Sequence, residues 1–158
     1  MPISEIQIQS LKNIDLPDIR SIYCAAWQQE FGSYLKSPLR AQEIENRFNR
    51  VLQPASGLVA AIKDRPVGYL IFTPVSPGAE MNQWYVSPSW QGQGVGGQLF
   101  SQLLCDFSGQ IIEWWAWENN QRAKQAYSKM GATLSGRRKT ELVGGALFRY
   151  QHWQITAE

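Results

Sequence analysis

The sequence predicts an α/β chain built around one mixed, mostly antiparallel sheet. Three observations carry that prediction: apolar residues switch between period two and period 3.6 along the chain, Gly, Pro, Asn and Asp stand at the switches, and the length suits one core. At 158 residues the chain is read as a single domain, 1–158. Ile6 to Leu11 alternates and starts as a strand. Asp15 then caps a helix in which Ile19, Ile22, Tyr23, Ala26 and Trp27 share one face. The aromatic-rich linker Phe31 to Leu35 leads to Ser37-Pro38, a cap and first-turn proline for a second helix with Ile44, Arg47, Phe48 and Val51 at helical spacing. Gly57 to Lys63 and Val67 to Val75 read as a hairpin turning at Asp64-Arg65-Pro66, with Pro74, Pro77 and Gly78 closing the ladder. Glu80 to Val86 is a strand stopped at Pro88, and Gly92 to Gly97 opens a helix with the stripe Val95, Leu99, Leu103 and Phe107. Ile111 to Trp117 is a buried strand. Asn120 caps a helix carrying Ala123, Ala126, Tyr127 and Met130, and Gly131 ends it. Thr133 to Ile155 supplies two strands around Val143-Gly144-Gly145. The order is β α α β β β α β α β β, about seven strands and four helices.

Composition removes several function classes. Hydrophobic residues at 44% and charged residues at 18% exclude a disordered or coiled-coil protein. Fifteen basic and thirteen acidic residues leave +2, and Arg137-Arg138-Lys139 is the one short run of like charge, so no nucleic-acid footprint is expected. No stretch reaches the roughly 18 apolar residues of a membrane span, and Met1 to Gln9 lacks a leader pattern. A cytoplasmic protein without a membrane partner is the expectation. Cys24 and Cys105 lack metal-site or disulfide spacing and read as small core hydrophobes, so no metal is expected. His152 reads as structural, and the Trp114, Trp115 and Trp117 cluster as packing.

The chemistry concentrates in Gln91-Gly92-Gln93-Gly94-Val95-Gly96-Gly97, four glycines at a helix start. Unsatisfied amides and the helix dipole favour an anion there, and glycine lets a diphosphate approach the backbone. Gly92, Gly94 and Gly97 also satisfy G-x-G-x-x-G, with Glu118 at the end of the next strand as a ribose acid. Against a dinucleotide fold, Ser87 to Gln91 separate the glycines from their strand, and too few βαβ units follow. A P-loop fails because Gln98-Leu99 stands where Lys and Ser/Thr are required.

Tyr85-Val86-Ser87-Pro88 through Gly96 resembles the acyl-CoA-binding motif of the GCN5-related N-acetyltransferase (GNAT) superfamily, whose Q/R-x-x-G-x-G/A is met by Gln91, Gly94 and Gly96. Asn120-x-x-Ala123-x-x-x-Tyr127-x-x-x-Gly131 is similar to the same family's second motif, with Ala132 a departure where an aromatic residue commonly follows the glycine. The resemblance covers essentially the whole chain and implies a GNAT-like fold and transfer of the acetyl group of acetyl-CoA to an amine, with no metal. The runner-up is an acyl-CoA-binding or sensor module without turnover.

The resemblance also implies roles. Backbone groups around Tyr85 and Val86 would hold the pantetheine arm, and Gln91, Gly92, Gln93, Gly94, Val95, Gly96 and Gly97 the diphosphate, with Asn120 facing the cofactor. Arg122, Lys124 or Lys129 would reach the outer phosphate or form a solvated face. Trp27, Phe31, Tyr34 and Trp84 would wall the acceptor site. A lysine-like amine with pKa about 10.4 costs roughly 4.6 kcal/mol to neutralise at pH 7, so Glu80 would take its proton directly or through water. Tyr127 would protonate the leaving thiolate. The acceptor is a small molecule or a protein, and a homodimer is compatible with the resemblance.

Overall fold

A computed structural model describes residues 5–35, 39–51 and 56–158 of the chain. Seven strands form one sheet in the order β1-β2-β3-β4-β5-β7-β6. In chain order these are β1 (Gln7–Ser10), α1 (Leu16–Phe31), α2 (Ala41–Val51), β2 (Ser56–Ile62), β3 (Arg65–Val75), β4 (Gly78–Val86), α3 (Val95–Asp106), β5 (Ile111–Trp117), α4 (Gln121–Lys129), β6 (Thr133–Val143) and β7 (Ala146–Thr156). All neighbouring strands run antiparallel except β4 and β5. The expected element order is therefore realised. Ser37-Pro38 and the side chain of Val51 lie outside the described residues.

The two faces of the sheet carry two cores. α1 and α2 pack on one face through Ile19, Ile22, Tyr23, Trp27, Phe31, Ile44 and Phe48 over Val59, Tyr69 and Ile71. α3 packs on the other, where Val95, Leu99, Phe100 and Leu103 meet Leu70, Met81, Ile112 and Trp114. The stripe predicted for α3 holds but lacks Phe100, which is 2% exposed, while Phe107 caps the helix instead of continuing it.

Several local expectations are corrected. The β2–β3 turn is Lys63-Asp64, not Asp64-Arg65-Pro66: both residues have positive φ (51° and 64°), the conformation that matches hairpin twist, and Arg65 already pairs with Ile62. A register shift between Ala60 and Ala61 accommodates Pro66, which has no amide to give the ladder. Pro74 lies inside the β3–β4 ladder, opposite Ala79, and does not close it. Asp15 precedes α1 but caps the turn before it, accepting from the Lys12 amide at 2.9 Å. Cys105 is exposed because it falls two residues beyond Leu103, off the buried stripe, and Cys24 is only half-buried.

Helix α4 ends as its sequence predicts. The Ala132 amide reaches the Tyr127 carbonyl and the Gly131 amide the Ser128 carbonyl, with Gly131 at φ 90°, a Schellman ending that needs glycine. At its start the Asn120 side chain accepts from the Ala123 amide at 3.1 Å. Asn120→Ala is expected to remove about 1 kcal/mol and lower the melting temperature by roughly 2–4 °C, read by calorimetry. No residue of α4 is fully buried, and Ala126, placed by sequence on its apolar face, is exposed.

Candidate active site

A gap opens inside the sheet between β4 and β5. These strands pair over three positions, Ala79↔Ile112, Glu80↔Glu113 and Met81↔Trp114, and then part. The cause is visible in β4. Phe72 pairs with Met81 and Ile71 with Gln83, leaving Asn82 as a bulge that increases the local twist and bends the strand away. Past the bulge, β4 stays with β3 and β5 stays with β7.

The bulge also resets which side chains share a face. Met81 and Trp84 pack with the α3 core, whereas Gln83 turns to the α1 side and accepts from the Tyr69 hydroxyl at 2.6 Å. The Ser87 amide donates to the Val67 carbonyl, so backbone alternation aims the polar groups of Trp84 and Val86 away from β3 and into the gap. Tyr85, expected to share in that task, instead faces Tyr69 across the β3 ladder with its backbone, and its ring packs toward α1.

At the open end stands the glycine loop. Gly94 has φ 87° at the residue before α3, and Gly92 has φ 78°. Side chains at Gly92 or Gly97 would meet nothing within 4 Å, so the loop presents open backbone beside the helix start. A shallow depression lined by Gly94, Gly97, Gln98 and Ser101 continues from it. Gly96 differs: a Cβ there would contact Trp84 Nε1 at 3.4 Å, and the Trp84 indole donates to the Gly96 carbonyl at 3.1 Å. Gly96 therefore faces the core. The Val95 side chain is likewise buried, which leaves only its backbone for a ligand.

The C-terminal turn of α1 ties both sides of the opening. Gln91 Nε2 donates to the Val86 carbonyl at 3.1 Å and to Gln29 Oε1 at 3.0 Å, while Gln93 Nε2 reaches the Ser89 carbonyl at 3.4 Å. Asn120 Nδ2 donates to Glu30 Oε1 at 3.3 Å. A splayed parallel pair, a glycine loop at a helix start and a helix lying over the gap make one connected site.

Comparison with known proteins decides the family: a model described as the Acetyltransferase (GNAT) family matches residues 16–132. The chain belongs to the GNAT acetyltransferases. This acetyltransferase is 29% identical over 124 residues to the peptidyl-lysine N-acetyltransferase YjaB of Salmonella typhimurium, spanning 76% of this chain and 81% of that one. It is 25% identical over 148 residues to a Mycobacterium tuberculosis protein named a probable N-acetyltransferase, 87% of this chain and 85% of the relative. In fold it is similar to the ribosomal-protein-S18-alanine N-acetyltransferase of Escherichia coli, with TM-score 0.76, 17% identity and 96% and 94% of the two chains covered. The structure of yncA from Salmonella typhimurium with its cofactor acetyl-CoA gives TM-score 0.68 at 18% identity, covering 98% and 95%. The protein is an acetyl-CoA-dependent N-acetyltransferase.

The acetyltransferase's own residues fit that co-substrate. Open glycine backbone at the start of the twelve-residue α3 suits a diphosphate, and the gap offers strand-like partners to an amide-bearing arm. Of the three cations on α4 that would reach the outer phosphate, Arg122 and Lys129 are exposed and Lys124 is half-buried.

Around the gap the enzyme sets Tyr127 on α4 against Trp84, Trp114 and Trp153, with ring centroids 6.2, 5.3 and 5.3 Å away. Burial, with the Glu30 charge beside it, raises the Tyr127 phenol above its ordinary value, so it stays protonated at neutral pH. Trp84, assigned by sequence to the acceptor wall, lies on the α3 side because of the bulge and stacks on Phe100 at 5.1 Å. Trp27 and Phe31 are 3% and 6% exposed and sit in the core under α1. Tyr34, 55% exposed, continues that aromatic run outward against Trp117 at 4.6 Å.

Glu80 stands at the last-but-one paired position, next to Glu113 across the ladder. His152 joins them: it is 2% exposed, shares a 2.7 Å hydrogen bond with Ser135 Oγ and lies 3.7 Å from Glu113 Oε2. Burial lowers its pKa, and Glu113 and Glu80 act in the opposite direction. Trp115, on the same face, carries Arg137 and Lys139 over its ring at 5.2 and 4.6 Å, a basic pairing that linear spacing hid.

Sequence reasoning missed Glu30. Burial pushes its carboxyl up to about 7, and the Asn120 hydrogen bond works against that rise. The signal was present: Tyr23, Ala26, Trp27, Glu30 and Phe31 follow i, i+3, i+4, i+7, i+8, so Glu30 is the one acid on the buried face of α1.

Proposed function

We propose that this enzyme moves the acetyl group of acetyl-CoA to a primary amine, of a small molecule or a peptide, by direct transfer in a ternary complex. The observation that carries the proposal is the gap itself, which opens on one side to the glycine loop and on the other to α1, with protonated Tyr127 beside it. Both substrates can therefore meet without an acyl-enzyme. Neither thiol belongs to either motif: Cys105 is exposed on α3 and Cys24 is half-buried on α1.

Acetyl-CoA supplies a thioester whose sulfur is a good leaving group, since a thiol pKa lies near 8.5. The chain supplies the rest. Amides of Trp84 and Val86 hold the arm, and a donor there polarises a carbonyl oxygen that gains charge in the transition state. Tyr127 gives a proton to the departing sulfur. Glu80 receives the acceptor's first proton through water, and with Glu113 it gives the acceptor side a negative floor that suits a cationic amine. The lysine substrate named for the Salmonella relative belongs to the same amine class.

Thiol release measured over a panel of polyamines, amino acids and lysine or N-terminal peptides tests the reading. Intersecting initial-velocity patterns support a ternary complex, whereas parallel patterns with an acetylated protein in the mass spectrum overturn it. Glu80→Gln should lower turnover about tenfold at pH 7, less than a directly bonded base would, with acetyl-CoA affinity unchanged. Its deficit should shrink as pH rises and the acceptor ammonium loses its proton unaided. A profile identical in height and shape to wild type returns Glu80 to a structural part.

A further inference from the structure

Two protons must leave the acceptor nitrogen, one before attack and one as the N–C bond forms. With Glu80 taking the first, the second needs its own acceptor. Glu30 is placed for it. It lies on the face of α1 that covers the gap, held by Asn120 Nδ2 at 3.3 Å from the cap of α4, two turns before Tyr127 on that helix. Its charge reaches the phenols of Tyr127, Tyr85 and Tyr150, which surround it from α4, β4 and β7. Asn120 engages Oε1, and among the described residues no hydrogen bond or ion pair holds Glu30 Oε2, which leaves that oxygen available to the acceptor. No cation acts on it from these elements, so burial prevails and an otherwise ordinary carboxylate titrates near neutrality.

Resting on the transfer reading, we propose that Glu30 is a catalytic proton acceptor of this enzyme, taking the second proton from the acceptor nitrogen at Oε2 as the amide bond forms. The balance is complete. The ammonium gives its first proton to water and Glu80. The nitrogen lone pair forms the N–C bond while the C–S bond breaks. The second N–H proton passes to Glu30 and on to solvent, and the sulfur takes a proton from Tyr127, which solvent restores. A half-buried carboxylate poised near 7 suits this work, because it is ionised often enough to accept and basic enough to hold the proton.

The test compares pH profiles of kcat/KM for wild type, Glu30→Gln and Glu80→Gln, with a carboxyl titration followed by ¹³C NMR of glutamate-labelled protein without substrates. Wild type should show an acid limb near pH 7 and one carboxyl titrating there. Glu30→Gln should lose both and fall roughly fiftyfold at pH 7, below the usual hundredfold because about half the wild-type carboxylates are ionised there. Glu80→Gln should keep both. If Glu30→Gln misfolds, Asn120→Ala decides: losing its hydrogen bond should move the limb to higher pH. A limb that survives Glu30→Gln, or does not move in Asn120→Ala, overturns the role of Glu30 while acetyl transfer itself stands. Failure of the transfer reading looks different, since wild type would then acetylate no amine in the panel.

Discussion

Gly94→Asp is expected to abolish acetyl-CoA binding in a protein that still folds. Gly94 has φ 87°, a left-handed conformation that aspartate adopts at a cost of about 1–2 kcal/mol, so the fold should tolerate the change. The carboxylate, by contrast, would stand at the start of α3, where the loop offers its amides to a diphosphate. Two like charges about 4 Å apart at a partly exposed site repel by about 4 kcal/mol, a loss near 10³-fold in affinity. Isothermal titration calorimetry reads it directly. Gly94→Ala separates strain from charge and should lose far less. Equal affinity in a folded Gly94→Asp protein would remove the glycine loop as the diphosphate site.

Tyr127→Phe should lower the chemical rate about 10²-fold with cofactor affinity nearly intact. The substitution keeps the ring that packs on Trp84, Trp114 and Trp153 and deletes one proton donor. Assistance by a general acid spans about 10²- to 10⁴-fold, and a thiolate that already leaves well sets the lower end. Because the phenol's pKa is raised by burial, the deficit should be flat through neutral pH, where wild type keeps its proton. Single-turnover measurements separate this step from product release. Matching single turnovers across pH would make Tyr127 a packing residue.

The element order was legible because each strand and helix has its own period and its own stop. The glycine loop and the Asn120 cap were legible for the same local reason. What escaped depended on contacts between distant segments. The Asn82 bulge has no sequence signature of its own, yet it sent Trp84 to the α3 face and turned the Tyr85 backbone to β3. The inward-facing Gly96 could be told from the outward-facing Gly97 only once Trp84 was in place. His152 gained Ser135 and Glu113 through strand pairing that spacing along the chain does not reveal. Glu30 was different: its position among Tyr23, Ala26, Trp27 and Phe31 was readable, and a lone acid on an apolar stripe is the kind of conflict that marks function.

Unpaired strand edges usually lie at the rim of a sheet, where they invite foreign chains and aggregation. Here the parting of β4 and β5 places two such edges in the middle, facing each other beneath α1. A second protein's strand cannot reach them without displacing that helix, while a slender chain bearing its own amides can thread between. The fold thus keeps the stickiness of an open edge and withholds it from other polypeptides. Hydrogen exchange should register this economy of access: the Trp84 and Val86 amides exchange as a frayed rim does until a guest pairs with them, and then become as slow as those of a central strand.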